Sequence, residues 1–508
     1  MLAKTLTGAV IGVNGLLVEV EVDIAFGLPS FSTVGLPEGA VRESKDRVKA
    51  AIKNCGYEFP NRRITVNLAP ADVKKEGAGY DLPIALGILA AAEILDGRLL
   101  DRFGVIGELS LDGGVRPARG ILPMALSARQ AGLAGILVPA ANAREAAVVD
   151  GIDVIGVDTL HQAVEFLAGV IDLPPTSVDV ASIFHEEREY DIDFNEVKGQ
   201  EHVKRALEIA AAGGHNVLMK GPPGSGKTML ARRLPTILPD LTFEEALETT
   251  KIYSVMGLLP ENKPLLTTRP FRAPHHTISD AGLIGGGQIP RPGEVSLAHN
   301  GVLFLDESPE FKKNVLEVLR QPLEDGTVTI ARAAHSLSFP ASFIMIAALN
   351  PCPCGYLGDV KHNCTCTPAQ IHRYETRLSG PLLDRIDLHL EVPSVRFKDM
   401  TQTTGGESSA AIKKRVDRAR QVQVQRYRRH KRIHCNGQMG PREIKKYCPL
   451  EQPSQELIEA VVERLGLSAR SYHRILKIAR TIADLAGSPD IITAHMAEAV
   501  QYRRLDRR

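Results

Sequence analysis

Residues 221–228 read Gly-Pro-Pro-Gly-Ser-Gly-Lys-Thr, a complete G-x-x-x-x-G-K-[ST] loop. Such a loop works only between a buried strand and a helix, so it dictates an α/β layer around itself. The flanks agree. Asn216-Val217-Leu218-Met219 reads as a short buried strand, and Met229-Leu230-Ala231-Arg232-Arg233-Leu234 reads as a helix. Gly221, Gly224 and Gly226 let the backbone curl past Pro222, Pro223 and Ser225, so that successive N–H groups point at phosphates. Lys227 is expected on the β- and γ-phosphates and the Thr228 hydroxyl on Mg²⁺, with the positive end of the helix facing the anion.

About eighty residues on, the apolar strand Val302-Leu303-Phe304-Leu305 ends in Asp306-Glu307. Asp306 is placed to hold Mg²⁺ through water, and Glu307 to orient and activate the attacking water. The alternative for Glu307 is a solvated acid at a strand end. A third buried strand, Ser342 to Leu349, ends in Asn350, an amide able to bridge the γ-phosphate and the water. The alternative for Asn350 is a turn starter. The chain is thus expected to bind and hydrolyse a nucleoside triphosphate.

The 508 residues suffice for three or four domains, and 44 % hydrophobic with 24 % charged residues is ordinary globular composition. The longest apolar stretch, Ile84 to Leu95, is too short to span a bilayer and contains Glu93. Met1-Leu2-Ala3-Lys4-Thr5 lacks the charged-then-apolar layout of a signal peptide, so no membrane partner and a cytoplasmic location are expected. In that compartment seven cysteines do not suggest a disulfide framework. A net charge of +1 is neutral on nucleic acid, but Ala411 to His434 carries ten Lys or Arg against the single acid Asp417. The absence of Trp argues against a stacking platform for single-stranded bases.

Residues 1–170 read as an α/β unit: Val18 to Val22 alternates as a strand, Glu38 to Asn54 and Leu82 to Leu95 have helical spacing, and Phe103 to Leu109 and Gly135 to Pro139 read as strands. Residues 171–193, with Pro174 and Pro175, read as a linker. The nucleotide-binding unit is expected over 194–395, a flexible link over 396–410, and a helical lid over 411–508.

These motifs resemble AAA+ ATPases of the magnesium-chelatase-like branch, and most closely the YifB/ComM family. The resemblance rests on Phe271 to Ser279 (FRAPHHTIS), Arg291 to Glu307, Asn350-Pro351-Cys352-Pro353-Cys354-Gly355 and Leu378 to Asp387 (LSGPLLDRID), and it extends over nearly the whole chain. It implies an AAA+ P-loop core with a helical C-terminal lid, assembled as a nucleotide-dependent homohexameric ring with ATP sites at subunit boundaries. Arg385 matches the position of the arginine finger offered to a neighbour, with Arg377 as runner-up; the alternative for Arg385 is an intrachain pair with Asp384 or Asp387. Ser468 to Arg474 is similar to the sensor-2 region, where Arg470, or Arg474 one turn later, touches the γ-phosphate. The first unit resembles the C-terminal domain of Lon proteases. The stretch Lys75 to Pro83 has no serine where the nucleophile belongs, and Arg119 to Met124 has no lysine, so the catalytic dyad is missing and no acyl chemistry is expected.

Cys352-Pro353-Cys354 and Cys364-Thr365-Cys366, with His362 beside them, fit a tetrahedral thiolate Zn²⁺ site in a reducing compartment; buried free thiols and a redox sensor are the alternatives. Asp325-Gly326 followed by Val328 to Phe339 reads as a β-hairpin carrying Arg332 and His335. The family resemblance implies that it lines a ring pore together with Arg269 to Arg291, which holds Arg272, His275 and His276, where these residues would grip DNA phosphates; ordinary surface charges are the alternative. The basic helix near Lys413 to Arg432 reads equally as a DNA-facing wall or as a solvated helix at a subunit interface. The resemblance implies an ATP-driven motor on single-stranded or branched DNA, serving recombination of imported DNA alongside recombination proteins. A motor that remodels a protein partner, and a slow nucleotide-switched scaffold, are the competing readings.

Overall fold

The computed structural model describes residues 1–503 except 76, 78, 187–189, 261–262, 288–289, 332–335, 359–361, 395–405 and 431–432. The chain divides into two compact units, 1–187 with 243–267, and 188–242 with 268–508.

The first unit is built on a seven-stranded mixed sheet in the order Ser30–Val34, Arg63–Ala69, Asn14–Ala25, Leu2–Ile11, Phe103–Val105, Gly135–Pro139, Asp153–Val157. Alternation sets the central register. Val18, Val20, Val22 and Ile24 point inward while Glu19, Glu21 and Asp23 alternate with them, and the strand pairs antiparallel with both neighbours, Val20 opposite Thr5 and Leu68. The helix Gly39–Asn54 buries Val41, Val48, Ala51 and Ile52 along one stripe. The helix Asp81–Ala91 is buried almost all round, as its unbroken apolar sequence requires. It stops at Ala91, short of the expected Leu95, because Glu93 turns left-handed at φ 59°.

Residues 243–267 leave the nucleotide-binding segment and fold with this first unit. The helix Phe243–Met256 lies on Ile121–Gln130: Leu247 joins the cluster of Ile121, Leu122 and Ala125, and the Gly120 N–H donates to the Ser254 carbonyl at 3.0 Å. The sequence carries no composition change at either crossing. The segment 171–193, read as linker, contains the helix Val180–Glu186.

The second unit centres on a five-stranded parallel sheet, Phe271–Arg272, Val302–Leu305, Ile344–Leu349, Val217–Lys220, Leu388–Glu391. Val217–Lys220 lies between two parallel neighbours, so its backbone is fully paired and its C-terminal end opens onto the phosphate loop. The helices Ser409–Tyr427, Pro441–Tyr447, Gln452–Leu465, Ala469–Leu485 and Thr493–Gln501 follow. Ile412, Val416, Ile475, Ile478 and Ile482 share one core with Val203, Leu207, Val217 and Leu388, so the lid helices and the sheet are one packed body. The hairpin forms as Thr327–Ala331 against Ser336–Pro340.

Candidate functional site

Three strand ends converge on the phosphate loop. The loop leaves Val217–Lys220 and enters the helix Lys227–Ile237, with Gly224 and Gly226 left-handed at φ 74° and 86°. Gly221 admits no side chain, because a Cβ there would run into the Val392 carbonyl. The Lys227 ammonium is buried among acceptors: the Gly221 carbonyl at 2.7 Å, the Pro222 carbonyl at 2.9 Å and Asn350 Oδ1 at 3.2 Å. Burial lowers its pKa, against the pull of Asp306 and Glu307. The Thr228 hydroxyl donates to Asp306 Oδ2 at 2.8 Å. The loop lysine, the loop threonine, the acid of the second strand and the amide of the third therefore occupy one site, as their spacing predicts.

Glu307 follows Asp306 in a left-handed conformation, φ 48°, which costs a non-glycine residue about 1–2 kcal/mol. Its carbonyl accepts from the Glu310 N–H at 2.7 Å. The turn leaves the carboxylate solvent-facing, with His276 Nδ1 4.0 Å from Oε2. The His276 ring packs tilted against that of His275, centroids 4.1 Å apart, and His275 Nδ1 contacts the Thr277 hydroxyl at 2.8 Å. The place of His276 beside the acid has no signal in the sequence, because the two residues come from segments thirty residues apart.

The remaining candidates have other partners. Arg385 forms an ion pair with Glu324 at 2.5 Å and donates to the Pro381 carbonyl at 2.7 Å, so its intrachain partner is neither Asp384 nor Asp387. Arg377 binds Glu310 and the Pro309 carbonyl, both at 2.8 Å. Arg474 pairs with buried Asp387, which also faces His215 Nδ1 at 3.2 Å and accepts from the Asn216 N–H at 3.3 Å. Burial alone would raise the Asp387 pKa, but Arg474 and His215 hold it well below the carboxylate range. Asn216 precedes the strand whose far end carries the phosphate loop. Arg474 is thus anchored at the opposite end of the sheet, and Arg470, one turn earlier in the same helix, is exposed.

Arg272 meets Glu294 through two bonds of 2.6 and 2.7 Å, so its charge is already matched. Arg332 and His335 lie outside the described residues. In the basic helix, Lys413 pairs with Asp240 at 2.5 Å, Arg415 with Glu208 at 2.5 Å and Arg426 with Asp484 at 2.6 Å, while Arg420 donates to the Ala211 carbonyl. These contacts fasten the helix to its own unit.

The sulfurs of Cys352, Cys354, Cys364 and Cys366 all lie within 4.8 Å of one another. Cys352–Cys354 is 3.3 Å, and Cys364 is 3.6 Å from each of them. A tetrahedral zinc with Zn–S bonds of about 2.3 Å sets its sulfurs about 3.8 Å apart, so the cluster fits that ion with small adjustment. Backbone N–H groups of Tyr356 and Thr365 lower the Cys354 thiol pKa, while those of Cys364 and Cys366, crowded by the other sulfurs, are raised, so the four share their charge unequally. The His362 ring packs tilted against Tyr356, centroids 4.8 Å apart, and is outside the cluster.

Residues 193–400 match the family described as magnesium chelatase, subunit ChlI; residues 20–142 match subunit ChlI of Mg-chelatase, and 406–503 its C-terminal region. The competence protein ComM of Haemophilus influenzae is 46 % identical over 509 residues, covering 100 % of this chain and 98 % of the relative. The chain belongs to the YifB/ComM family of magnesium-chelatase-like AAA+ proteins. YifB of Escherichia coli is 46 % identical over 99 % of this chain and 97 % of its own. A magnesium-chelatase subunit ChlI from Chlamydomonas reinhardtii is 24 % identical over 46 % of the chain and 58 % of its own. Membership in the YifB/ComM family implies ATP and Mg²⁺ at the phosphate loop. No helix among the described residues is long and apolar enough to cross a membrane.

Proposed function

We propose that this chain is an ATP hydrolase that works as a ring-shaped DNA motor in the handling of imported DNA. The observation that carries the hydrolase reading is the meeting of Lys227, Thr228, Asp306 and Asn350 at one loop, with Glu307 at its rim. Loop N–H groups and Lys227 bind the β- and γ-phosphates. Thr228 and Asp306 hold Mg²⁺, which supplies charge neutralisation on the phosphate oxygens. Asn350 shares Lys227 with the phosphate and positions the attacking water. Glu307 accepts that water's proton.

Ring assembly, with a hexamer as the expected state, explains what the isolated chain leaves open. Arg385 acts on a neighbour's ATP after exchanging Glu324 for the nucleotide. Exposed Arg470 is available to a γ-phosphate. The DNA reading is supported by the kinship with a competence protein and by the hairpin 327–340. Arg332 and His335, which lie in the sequence between its two strands, and His275 contact phosphates of single-stranded or branched DNA; Arg272 is better read as a structural pair with Glu294. The four cysteines hold a structural zinc.

ATP turnover measured with and without single-stranded, duplex and four-way-junction DNA tests the reading. Stimulation by DNA supports the motor. Indifference to every DNA favours a machine that remodels a protein partner.

A further inference from the structure

We propose that the four-cysteine centre is a clamp on the phosphate loop, so that occupancy by a thiophilic divalent cation sets the affinity for nucleotide. The inference rests on the zinc reading above and adds a function to it.

Three contacts tie the centre to the loop. Gly355, next to Cys354, is left-handed at φ 86°, and its N–H donates to the Cys352 carbonyl at 3.0 Å. It presses so closely on the loop that a Cβ would lie 2.7 Å from both Cδ and Cγ of Pro223. On the N-terminal side, Asn350 stands two residues before Cys352 and accepts from Lys227 at 3.2 Å. On the C-terminal side, Thr367 follows Cys366 directly and caps the helix Pro368–Glu375. That helix ends with Glu375 on Lys220 at 2.9 Å, the last residue before the loop.

The centre therefore reaches the loop's entry, its middle and its lysine. Among the described residues between Pro351 and Thr367 there is no helix or strand, so no backbone ladder fixes this segment. Four sulfurs this close repel as thiolates, and a cation bound by all four turns that repulsion into a cross-link. Without it, the turn at Gly355 and the start of the helix at Thr367 lose their common anchor. Pro223, Asn350 and Lys220 then lose the packing that holds the loop open to phosphate.

The test uses the full chain. Zinc is quantified by elemental analysis and stripped with a thiol-reactive mercurial, which is then removed with excess thiol. The dissociation constant for a fluorescent ATP analogue is measured at saturating Mg²⁺ before stripping, after stripping and after Zn²⁺ is restored. Misplacing a binding group by about 1 Å is costly, so stripping should weaken binding at least ~10-fold, reversed by Zn²⁺ and not by more Mg²⁺. Gly355→Val, with the cysteines intact and zinc retained, should weaken binding comparably by pushing on Pro223. Glu375→Gln, a milder variant, should do so by about threefold.

A chain that carries no thiophilic metal overturns the zinc reading and the clamp together. Zinc that is present but whose removal leaves the dissociation constant unchanged overturns the clamp alone. If stripping unfolds the protein, the two metal-retaining variants decide, and unchanged affinity in both rejects the proposal.

Discussion

Asp387→Asn isolates the anchor at the back of the sheet. The carboxylate is 4 % exposed and meets Arg474, His215 Nδ1 and the Asn216 N–H. Asparagine keeps the volume but cannot satisfy three donors and leaves the guanidinium without its counter-ion. Breaking a buried pair costs about 3–5 kcal/mol. The Arg474 side chain is 20 % exposed and recovers some hydration, which points to the lower end, about 3 kcal/mol. The folded pKa of Asp387 is depressed, so its contribution is fully present above the unfolded value of about 3.9 and is lost as pH falls through the folded one. The gap between wild type and variant should therefore be flat from about pH 8 to 5 and narrow only below about 4. Hydrogen exchange reads this locally. Amides of Leu388–Glu391 and Ala469–Leu485 should exchange about a hundredfold faster, while Asn14–Ala25 in the other unit should not change. ATP affinity should stay within about twofold, because the loop is at the other end of the strand. A gap that widens with acid, equal acceleration in both units, or a collapse of ATP affinity would refute the placement of Arg474.

Glu307→Gln should bind ATP and turn it over at least ~100-fold more slowly, as loss of a positioned base requires; unchanged turnover in a steady-state phosphate assay would move the base elsewhere. Arg385→Ala should keep ATP affinity and lose turnover. Mixing it with Glu307→Gln should restore activity at sites that pair an intact Arg385 with an intact Glu307, and no rescue at any ratio would argue against a finger supplied by a neighbour. Arg332→Ala should keep basal turnover and lower the salt slope of DNA binding by about one, whereas Arg272→Ala should leave that slope alone and cost about 1–2 kcal/mol of stability through Glu294. Equal slope changes in the two would undo the structural assignment of Arg272.

What the sequence disclosed follows from how local each signal is. The phosphate loop, its strand and its helix are contiguous, and Asn350 was readable because a polar residue closes an apolar run. Helices with a regular stripe were placed to within a few residues: Ile412 to Tyr427 forms as Ser409–Tyr427, and Ser468 to Ala486 as Ala469–Leu485. The paired cysteines also announce themselves by spacing. Partners distant in the chain do not. Glu324 for Arg385, Glu294 for Arg272 and Asp387 for Arg474 are ordinary charges until the fold joins them, and the basic run from Lys413 looked free because its acids lie in other segments. Gly355 gave no sign of its contact with Pro223, since one glycine in a cysteine-rich turn is unremarkable by itself.

The return of residues 243–267 to the first unit also sets an order on synthesis. The helix Ile121–Gln130 waits for Phe243–Met256, more than a hundred residues downstream, to cover it. At translation speeds of about 5–20 residues per second, that delay is on the order of 10 s. During it the strand Val217–Lys220 has also emerged without Val302–Leu305 or Ile344–Leu349 to flank it. The first unit cannot finish until residues 188–242 of the second have been made. A cut at residue 170, where composition suggests a seam, would separate a nascent core from one of its own walls.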